Sequence, residues 1–455
     1  MTKVMKFGGG CLRDSRSVAQ ACAIIAREKR AAVVVSAVSG VTEMLLAAIG
    51  QAKRHERNIP PILAALEMKH AAVIDELCPS GLAKKRLQGA IASQISQVER
   101  LLTGIACHRD LTSAVRARLL SAGERLAARL LAGILECLET RSSALDAHLA
   151  GICTDDNFEN ASIDRDRTRK ALRARIAPLL RQGIVPVIPG FFGRGPGGAI
   201  TLLGRNGSDY SAAAVAYALG AERLEVWKDV DGFMSADPSR VPSARRLERL
   251  SFAEAAELSY FGAKILHPRT VEPLAGTATR LFVRNMEDPS SAGSEIIAGH
   301  SGRFEDVAGI AANTRLAVIR VHGAGIGSKP GLLAGVSSLL GGAGINIHSV
   351  LTSHTCINLL LDPADARNSL QRLKSQTNGV IKKVELEERL ALVGVVGERI
   401  MEKEGIYARI FTAVAREKIN VEMAAAGASS VACYFLVRST DLDRAVRAVH
   451  DEFFP

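Results

Sequence analysis

Two segments of this sequence combine glycines with charged side chains in a way that is typical of anion-binding sites. Lys6 lies in a short apolar stretch and is followed, after Phe7, by the glycines at 8–10. Glycines let the backbone approach a phosphate closely, and an ammonium group neutralises its charge. A second loop, residues 204–211, carries Arg205 and Asp209 and runs into an alanine-rich helical stretch. Helix N-termini attract anions and a guanidinium matches a carboxylate or phosphate, so this loop predicts a second anion contact.

The elements around these segments predict an α/β fold. Strand-like stretches alternate with helical stretches rich in alanine and leucine, which favours a mostly parallel sheet covered on both sides. Ser36 lies at the end of the second of these stretches and Thr42 follows it, where ligands usually bind in open α/β sheets. The strand-like stretches lie at 4–7, 32–37, 184–188, 200–203 and 224–227.

The region beyond about residue 306 contains an internal repeat. Each half runs through a strand, a glycine-containing loop, a helix and a second short strand. The second strands are residues 345–347 and 419–421, which read Ile-Asn-Ile and Ile-Asn-Val. A repeat of this kind predicts two units with the same small α+β layout.

The composition argues against nucleic-acid and membrane proteins. The 455 residues carry a formal charge of +11, but lysines and arginines are scattered and aromatic residues make up only 4%. No apolar run is long and charge-free enough to span a membrane. The basic balance instead fits a site for anionic small molecules, and we expect neither a nucleic acid nor a membrane as partner.

The cysteine pattern predicts free thiols. The eight cysteines form no CxxC pair, and most lie in apolar stretches. Buried reduced thiols fit this pattern better than disulfides or a zinc site. The N-terminal residues lead into a strand-like stretch without the pattern of a signal peptide. We therefore expect a cytoplasmic protein with no metal held by its own side chains.

Several motifs in order resemble those of the aspartokinases, a branch of the amino acid kinase family. The repeat beyond residue 306 resembles a pair of ACT modules. Motifs in family order are a much stronger signal than any one glycine motif. The resemblance implies an α/β amino acid kinase fold at 1–305 and two ferredoxin-like ACT modules at 306–388 and 389–455. The matching segments are 6–9, 36–42, 123–126, 190–193, 204–211, 227–232 and 259–268.

The resemblance implies ATP-dependent phosphorylation of the L-aspartate side chain to 4-phospho-L-aspartate, the first step towards lysine, threonine and methionine. It implies ATP with Mg²⁺ as the phosphoryl donor, and Lys6 and Asp209 as catalytic residues. Such transfer needs positioning and neutralisation of negative charge. The implied substrate-binding residues are Ser36, Thr42, Glu124, Phe191, Arg205 and Ser208. The implied nucleotide-binding residues are Lys6, Phe7, Gly8, Gly9, Lys228, Asp229 and Lys264.

The sequence departs from the family pattern around the nucleotide. Gly10 and Cys11 stand where threonine and serine are usual, so two hydroxyls are missing. A lost neutral hydrogen bond costs about 0.5–1.5 kcal/mol, which predicts a weaker or slower enzyme. Met234 and Ser239 replace a usual tyrosine and arginine, and Arg240 is the nearest substitute for that arginine.

The ACT-like modules imply an amino-acid effector and self-association. His348 and His354 stand where lysine-inhibited members carry acidic residues, so we expect lysine to bind weakly or not at all. Exposed sheet edges favour pairing with another copy, and the expectation is a homodimer or homotetramer through these modules. The implied effector residues are Leu332, Leu333, Ile347, His348 and Ser353.

Two alternatives stay open from the sequence alone. One is a catalytically weak paralogue whose ACT modules sense an amino acid as a regulatory subunit, which Gly10 and Cys11 support. Five intact residues argue against it, namely Lys6, Glu124, Arg205, Asp209 and Lys264. The other is a kinase for glutamate or a nucleoside monophosphate, which the ACT pair and residues 259–268 disfavour.

Overall fold

The computed structural model describes residues 2–263, 265–266, 268–302, 305–375 and 380–455. The chain divides into two compact units. The first comprises residues 1–233, 248–252 and 265–299. The second comprises residues 234–247, 253–264 and 300–455.

An eight-stranded sheet forms the centre of the first unit. Neighbouring strands are parallel except for Arg280–Asn285 and Ser294–Ile297, which pair antiparallel. Every residue of Ala31–Val35 and Val185–Pro189 is buried, which requires cover on both faces. The predicted mostly parallel α/β fold is confirmed. The strands, in spatial order, are Ser142–Ala144, Val185–Pro189, Ala31–Val35, Lys3–Phe7, Arg223–Lys228, Arg280–Asn285, Ser294–Ile297 and Arg249–Ser251.

The strand Lys3–Phe7 lies in the middle of this sheet. It pairs in parallel with Ala31–Val35 and with Arg223–Lys228, so the C-terminal ends of all three strands meet at one edge. Ligands in open α/β sheets bind at such an edge. A two-stranded ribbon, Phe192–Arg194 with Ile200–Leu202, completes the strands of the unit. Its helices are Ser15–Ala26, Val41–Ala52, Ile59–Leu77, Leu82–His108, Ser113–Leu120, Ala122–Cys137, Ala147–Ala150, Arg165–Arg181 and Gly207–Leu219.

The second unit contains two four-stranded antiparallel sheets, each with two helices. The first sheet has the spatial order Ile347–Thr352, Cys356–Leu361, Ala317–His322 and Lys383–Glu387. Its helices are Leu332–Gly341 and Pro363–Lys374. The second sheet has the order Gly309–Asn313, Leu390–Val396, Ala432–Arg438 and Met423–Ala425, with helices Ile406–Arg416 and Leu442–Phe453. The predicted pair of ferredoxin-like modules is confirmed.

The two modules are interleaved in sequence. Gly309–Asn313, which the predicted boundaries assign to the first module, pairs with Leu390–Val396 of the second. The first module, from Ala317–His322 to Lys383–Glu387, is therefore inserted between two strands of the second module's sheet. At this point the strand pairing differs from the predicted boundary at 306, which followed chain order alone. The other domain boundaries stay predictions.

One cysteine prediction is wrong. Cys78 and Cys137 form a disulfide, with Cα atoms 5.4 Å apart. Cys78 directly follows the helix Ile59–Leu77 and Cys137 ends the helix Ala122–Cys137, so the fold brings together two positions that are 59 residues apart. The spacing of the cysteines along the chain does not indicate this disulfide. The other cysteines are free, as predicted. In the part of the chain that the structure describes, no helix is both long and apolar enough to cross a bilayer.

Candidate active site

A chamber of about 260 Å³ opens in the first unit where Lys3–Phe7 and Arg223–Lys228 end. We call it the lysine chamber, because two lysines lie on its wall. The lining residues are Lys6, Gly8, Gly9, Gly10, Cys11, Ser36, Asn206, Ser208, Asp209, Lys228 and Asp229.

Asp209 pairs with both lysines of this chamber. Lys6 Nζ lies 2.5 Å from Asp209 Oδ1, and Lys228 Nζ lies 3.5 Å from Asp209 Oδ2. Burial acts to raise the pKa of Asp209, but the two lysines outweigh it and hold that pKa below its usual value. Burial lowers the pKa of Lys228, an effect that Asp209 opposes. Asp209 is thus an ionised carboxylate that fixes two ammonium groups.

The glycine loop fits closely against its surroundings. The Gly8 N–H donates to the Trp227 carbonyl at 3.3 Å. A Cβ at Gly9 would lie 3.1 Å from the Ala37 carbonyl oxygen, which is tighter than ordinary contact. A Cβ at Gly10 would lie 3.0 Å from Asp229 Oδ2. The backbone can run along the chamber wall at these positions because no side chains intervene.

Cys11 and Gly10 occupy the positions where the sequence departs from the family pattern. The Cys11 thiol is buried and donates to the Trp227 carbonyl at 3.2 Å. Burial raises the pKa of this thiol to about 11, so it is neutral at physiological pH. Its proton is directed at the protein backbone, and Asp229 fills the space beside Gly10. Both positions are thus already in close contact with other protein atoms.

A second chamber, of about 370 Å³, adjoins the first. We call it the arginine chamber. Ser36, Asn206 and Ser208 line both chambers, so these residues form a shared wall. The lining residues are Ser36, Thr42, Arg116, Leu120, Glu124, Glu159, Phe191, Leu202, Gly204, Arg205, Asn206, Gly207 and Ser208.

Glu124 is a buried carboxyl on the wall of the arginine chamber. It lies in the first turn of the helix Ala122–Cys137 and is 5% exposed. Burial raises the pKa of Glu124 to about 8, although backbone amides and Lys6 act in the opposite direction. Among the described residues, none hydrogen-bonds its Oε2 atom. A buried oxygen without a partner is costly, so this carboxyl is prepared for a cationic ligand.

Two residues that line the arginine chamber, one of them on the shared wall, have strained backbone. Phe191 has φ 74° and Asn206 has φ 56°, the left-handed region that side chains disfavour. The Phe191 N–H donates to Ser211 Oγ at 3.0 Å, and a Cβ at Gly190 would lie 2.7 Å from Ser208 Cα. The loop is therefore pressed against the N-terminus of the helix Gly207–Leu219. Strain of this kind is held where surrounding structure fixes a functional site.

Most of the predicted site residues lie in the two chambers, and their individual roles stay predictions. Phe7 does not line either chamber. It is fully buried and stacks on Trp227, with ring centroids 6.2 Å apart. Lys264 lies outside the described residues. The lysine chamber holds Lys6, Gly8, Gly9, Asp209, Lys228 and Asp229, the arginine chamber holds Thr42, Glu124, Phe191 and Arg205, and the shared wall holds Ser36 and Ser208.

Three lining residues with a charged or amide side chain were not predicted, namely Asn206, Arg116 and Glu159. Asn206 lies inside the matching segment 204–211, and an asparagine directly before Gly207 is a sequence signal for the left-handed backbone that it adopts. Arg116 and Glu159 lie in no motif. Only the fold brings the helix Ser113–Leu120 and the loop around Glu159 to the same chamber.

The implied effector residues belong to the second unit. Leu332 and Ile347 pack against the core of the first ACT module, while Leu333 is exposed. His348 is exposed, and its carbonyl accepts a hydrogen bond of 2.7 Å from the Tyr260 hydroxyl. Ser353 lies at the turn after Ile347–Thr352, where its N–H donates to the Cys356 carbonyl.

The substitute arginine considered for the nucleotide is occupied within the second unit. Arg240 forms ion pairs with Asp237 and with Asp443. Ser239 donates to Asp237 from its hydroxyl and from its backbone. Met234 pairs with Arg246 in an isolated β-bridge. These contacts give all three residues a local structural role.

Comparison with known proteins gives a consistent result. A model of the amino acid kinase family matches residues 1–285, and an ACT domain model matches residues 393–453. The chain is 30% identical to the chloroplastic aspartokinase 2 of Arabidopsis thaliana, over all of this chain and 84% of that protein. It is similar to E. coli aspartokinase III in complex with aspartate and ADP, with a TM-score of 0.84, 28% identity and full coverage of both chains. A complex of the same E. coli enzyme with lysine and aspartate gives a TM-score of 0.83 at 27% identity, again with full coverage of both chains. From these matches, the chain belongs to the amino acid kinase family and, within it, to the aspartokinases.

Proposed function

We propose that the two chambers bind ATP and L-aspartate side by side, and that the γ-phosphoryl group passes to the aspartate side-chain carboxylate across the shared wall. The observation that carries this proposal is the adjacency of two chemically distinct chambers. One holds the buried Lys6 and the half-buried Lys228, both paired to Asp209, and the other holds Glu124 and Arg205. The E. coli enzyme of the same fold has been crystallised with aspartate and ADP, which supports the assignment.

The arginine chamber supplies the groups that an amino acid needs. The Arg205 guanidinium suits the α-carboxylate, because its donors match a carboxylate in a planar fork. The unpartnered Oε2 of Glu124 suits the ammonium group. With these two groups held, the side-chain carboxylate is left to point towards Ser36, Asn206 and Ser208, where the chambers meet.

The lysine chamber supplies charge to the transferred group. A carboxylate oxygen of aspartate attacks the γ-phosphorus, the bond to the bridging oxygen breaks, and ADP leaves with that electron pair. The nucleophile is already ionised, so no strong base is required. Lys6 and Lys228 neutralise the spreading charge, and Asp209 holds both ammonium groups in position.

Mg²⁺ accompanies the nucleotide in this proposal. Among the residues the structure describes, no three metal-ligating side chains lie together. The proposal therefore does not place Mg²⁺ in a site made only of protein groups. Mg²⁺ usually keeps several waters and binds one or two carboxylates plus the substrate phosphates. Asp229, on the wall of the lysine chamber, is the carboxylate that fits this role, and the bound ion would draw charge from the phosphates.

The second unit is proposed to regulate and assemble the enzyme. The strand Ile347–Thr352 is an edge of its sheet, and Val350 on it is exposed. An edge of this kind favours pairing with a second copy, so we propose a homodimer or homotetramer through the ACT modules, with any amino-acid effector bound near His348. We also propose a cytoplasmic location, where ATP and aspartate are available.

The test is aspartate-dependent formation of ADP, followed in a coupled assay with purified protein. Lys6→Ala should lower kcat by about 100- to 1000-fold, because removing one charge-stabilising donor costs roughly 2.7–4 kcal/mol. Lys29→Ala, at an exposed position in the same unit, is the matched control and should leave kcat unchanged. No aspartate-dependent ADP formation by the wild type, or near-normal kcat in folded Lys6→Ala, would contradict the proposal.

A further inference from the structure

The arginine chamber contains a second arginine that the proposed mechanism leaves without a role. Its four ionisable lining residues are Arg116, Glu124, Glu159 and Arg205. Glu124 and Arg205 account for the ammonium and α-carboxylate of aspartate. Arg116 and Glu159 pair with each other, with Arg116 Nε 3.2 Å from Glu159 Oε1. Arg116 is therefore a guanidinium on the wall of a carboxylate-binding chamber that is paired with a protein carboxylate. The same guanidinium has the donors to bind a substrate carboxylate in place of Glu159.

The backbone that carries Arg116 is well fixed. Arg116 lies in the helix Ser113–Leu120, whose N-terminus is capped by the Thr112 hydroxyl. Ala117, Leu119 and Leu120 of the same helix are buried, which fixes the face that the helix presents to the chamber. The Arg116 side chain itself is 36% exposed, so it is free to change rotamer without disturbing the core.

The backbone that carries Glu159 is also fixed. The Asn157 side chain accepts hydrogen bonds from the Glu159 and Asn160 N–H groups, at 3.3 and 3.2 Å. The Leu202 N–H donates to the Phe158 carbonyl at 2.9 Å, which ties this loop to the strand Ile200–Leu202. The Glu159 side chain, by contrast, is 61% exposed. Only the two side chains need to move for the pair to open.

We propose that Arg116 is a second guanidinium for the α-carboxylate of the substrate, and that Glu159 holds it aside until aspartate binds. This inference rests on the proposed function of the chamber. Arg116 lines the arginine chamber and not the lysine chamber. The side-chain carboxylate of aspartate must reach the shared wall to accept the phosphoryl group, so the α-carboxylate is the anion that meets Arg116.

The exchange of partners is energetically reasonable. Exposed ion pairs contribute little because water and salt screen them, so a substrate carboxylate can compete with Glu159. Once released, the Glu159 carboxylate remains in contact with water and needs no new partner. The α-carboxylate gains a charge-assisted hydrogen bond in a chamber where Arg205 alone would otherwise hold it. The pair therefore adjusts affinity for the amino acid without touching the reacting atoms.

The test uses substitutions with opposite expected effects on the KM for aspartate. Arg116→Ala should raise this KM about tenfold, the loss expected for one hydrogen bond to a charged group, with kcat and the KM for ATP little changed. Arg116→Lys should restore part of the affinity. Glu159→Gln should lower the KM about twofold, since it weakens a competitor that is held by a weak surface pair. In the Arg116→Ala background, Glu159→Gln should have no effect.

Two controls separate this inference from simpler explanations. Arg118→Ala, on the exposed side of the same helix, should behave as wild type. As an inhibitor, 3-aminopropanoate keeps the reacting carboxylate but lacks the α-carboxylate, so its inhibition constant should be the same for wild type and Arg116→Ala. An unchanged KM for aspartate in Arg116→Ala, or a raised KM in Glu159→Gln, overturns the inference while the wild type remains active. A wild type without aspartate-dependent activity overturns the proposed function itself.

Discussion

The raised pKa of Glu124 predicts a specific pH dependence for aspartate binding. The ammonium group of aspartate requires the ionised carboxylate, but burial raises the pKa of Glu124 to about 8 in the empty chamber. Affinity falls in proportion to the binding-competent fraction, which is about one half at pH 8 and about 3% at pH 6.5. We therefore expect kcat/KM for aspartate to fall about 15-fold between pH 8 and pH 6.5.

Stability should change in the opposite direction, which separates the two effects. The pKa of Glu124 is higher in the folded protein than its ordinary value of 4.5. The folded state then holds the proton more tightly than the unfolded state. The contribution of Glu124 to stability is fully present below about pH 4.5 and is lost as the pH rises through about 8. Protonation of Glu124 at pH 6.5 favours the folded state, so a loss of activity at that pH does not come from unfolding caused by Glu124.

The assay is the initial rate of ADP formation at saturating ATP, with aspartate varied at pH values from 6 to 8.5. kcat/KM reports the free enzyme, so its profile should rise with an apparent pKa near 8, while kcat at saturating aspartate stays nearly flat. Glu124→Gln should show low kcat/KM and lose this rise. Glu43→Gln, at an exposed site, should keep the wild-type profile. A flat wild-type profile, or a Glu124→Gln profile that still rises, would refute the reasoning.

Three further predictions concern other parts of the chain. Gly10→Thr should lower kcat/KM for ATP, because the new Cβ would lie 3.0 Å from Asp229 Oδ2. A higher kcat/KM would contradict this prediction. Replacing Cys78 and Cys137 together by serine should lower the free energy of unfolding in urea by about 2–4 kcal/mol, since the bond closes a 59-residue loop. A reductant should lower the free energy of unfolding of the wild type but not that of the double serine variant. Calorimetric titration with lysine should show weak or no binding, because His348 offers no carboxylate; tight binding would contradict this.

The sequence predicts the first unit well because its signals are local. The alternation of buried strands with helices is visible in stretches such as 32–37 and 184–188, and both become parallel strands of the sheet. Lys6 could also be predicted, because a lysine followed closely by three glycines has few other uses. Where neighbouring residues carry the chemistry, spacing along the chain is sufficient evidence.

The features that the sequence could not predict depend on distant pairings. Cys78 meets Cys137 only because two helices end beside each other. The strand Gly309–Asn313 joins the second ACT module across the whole inserted first module, and no local pattern indicates such a crossing. Arg116 and Glu159 are ordinary surface residues by sequence, and only their shared chamber distinguishes them. In each case the partner is set by the fold.

The positions of the departures decide which substrate they should affect. Gly10 and Cys11 line the lysine chamber, whereas all the predicted substrate-binding residues line the arginine chamber. The Cys11 thiol is neutral and already donates to the Trp227 carbonyl, so it offers no proton to a phosphate. We therefore expect weakness, where present, in the KM for ATP and in kcat, with the KM for aspartate set by Glu124 and the arginines. A regulatory subunit without activity would need no such buried, ion-paired Lys6.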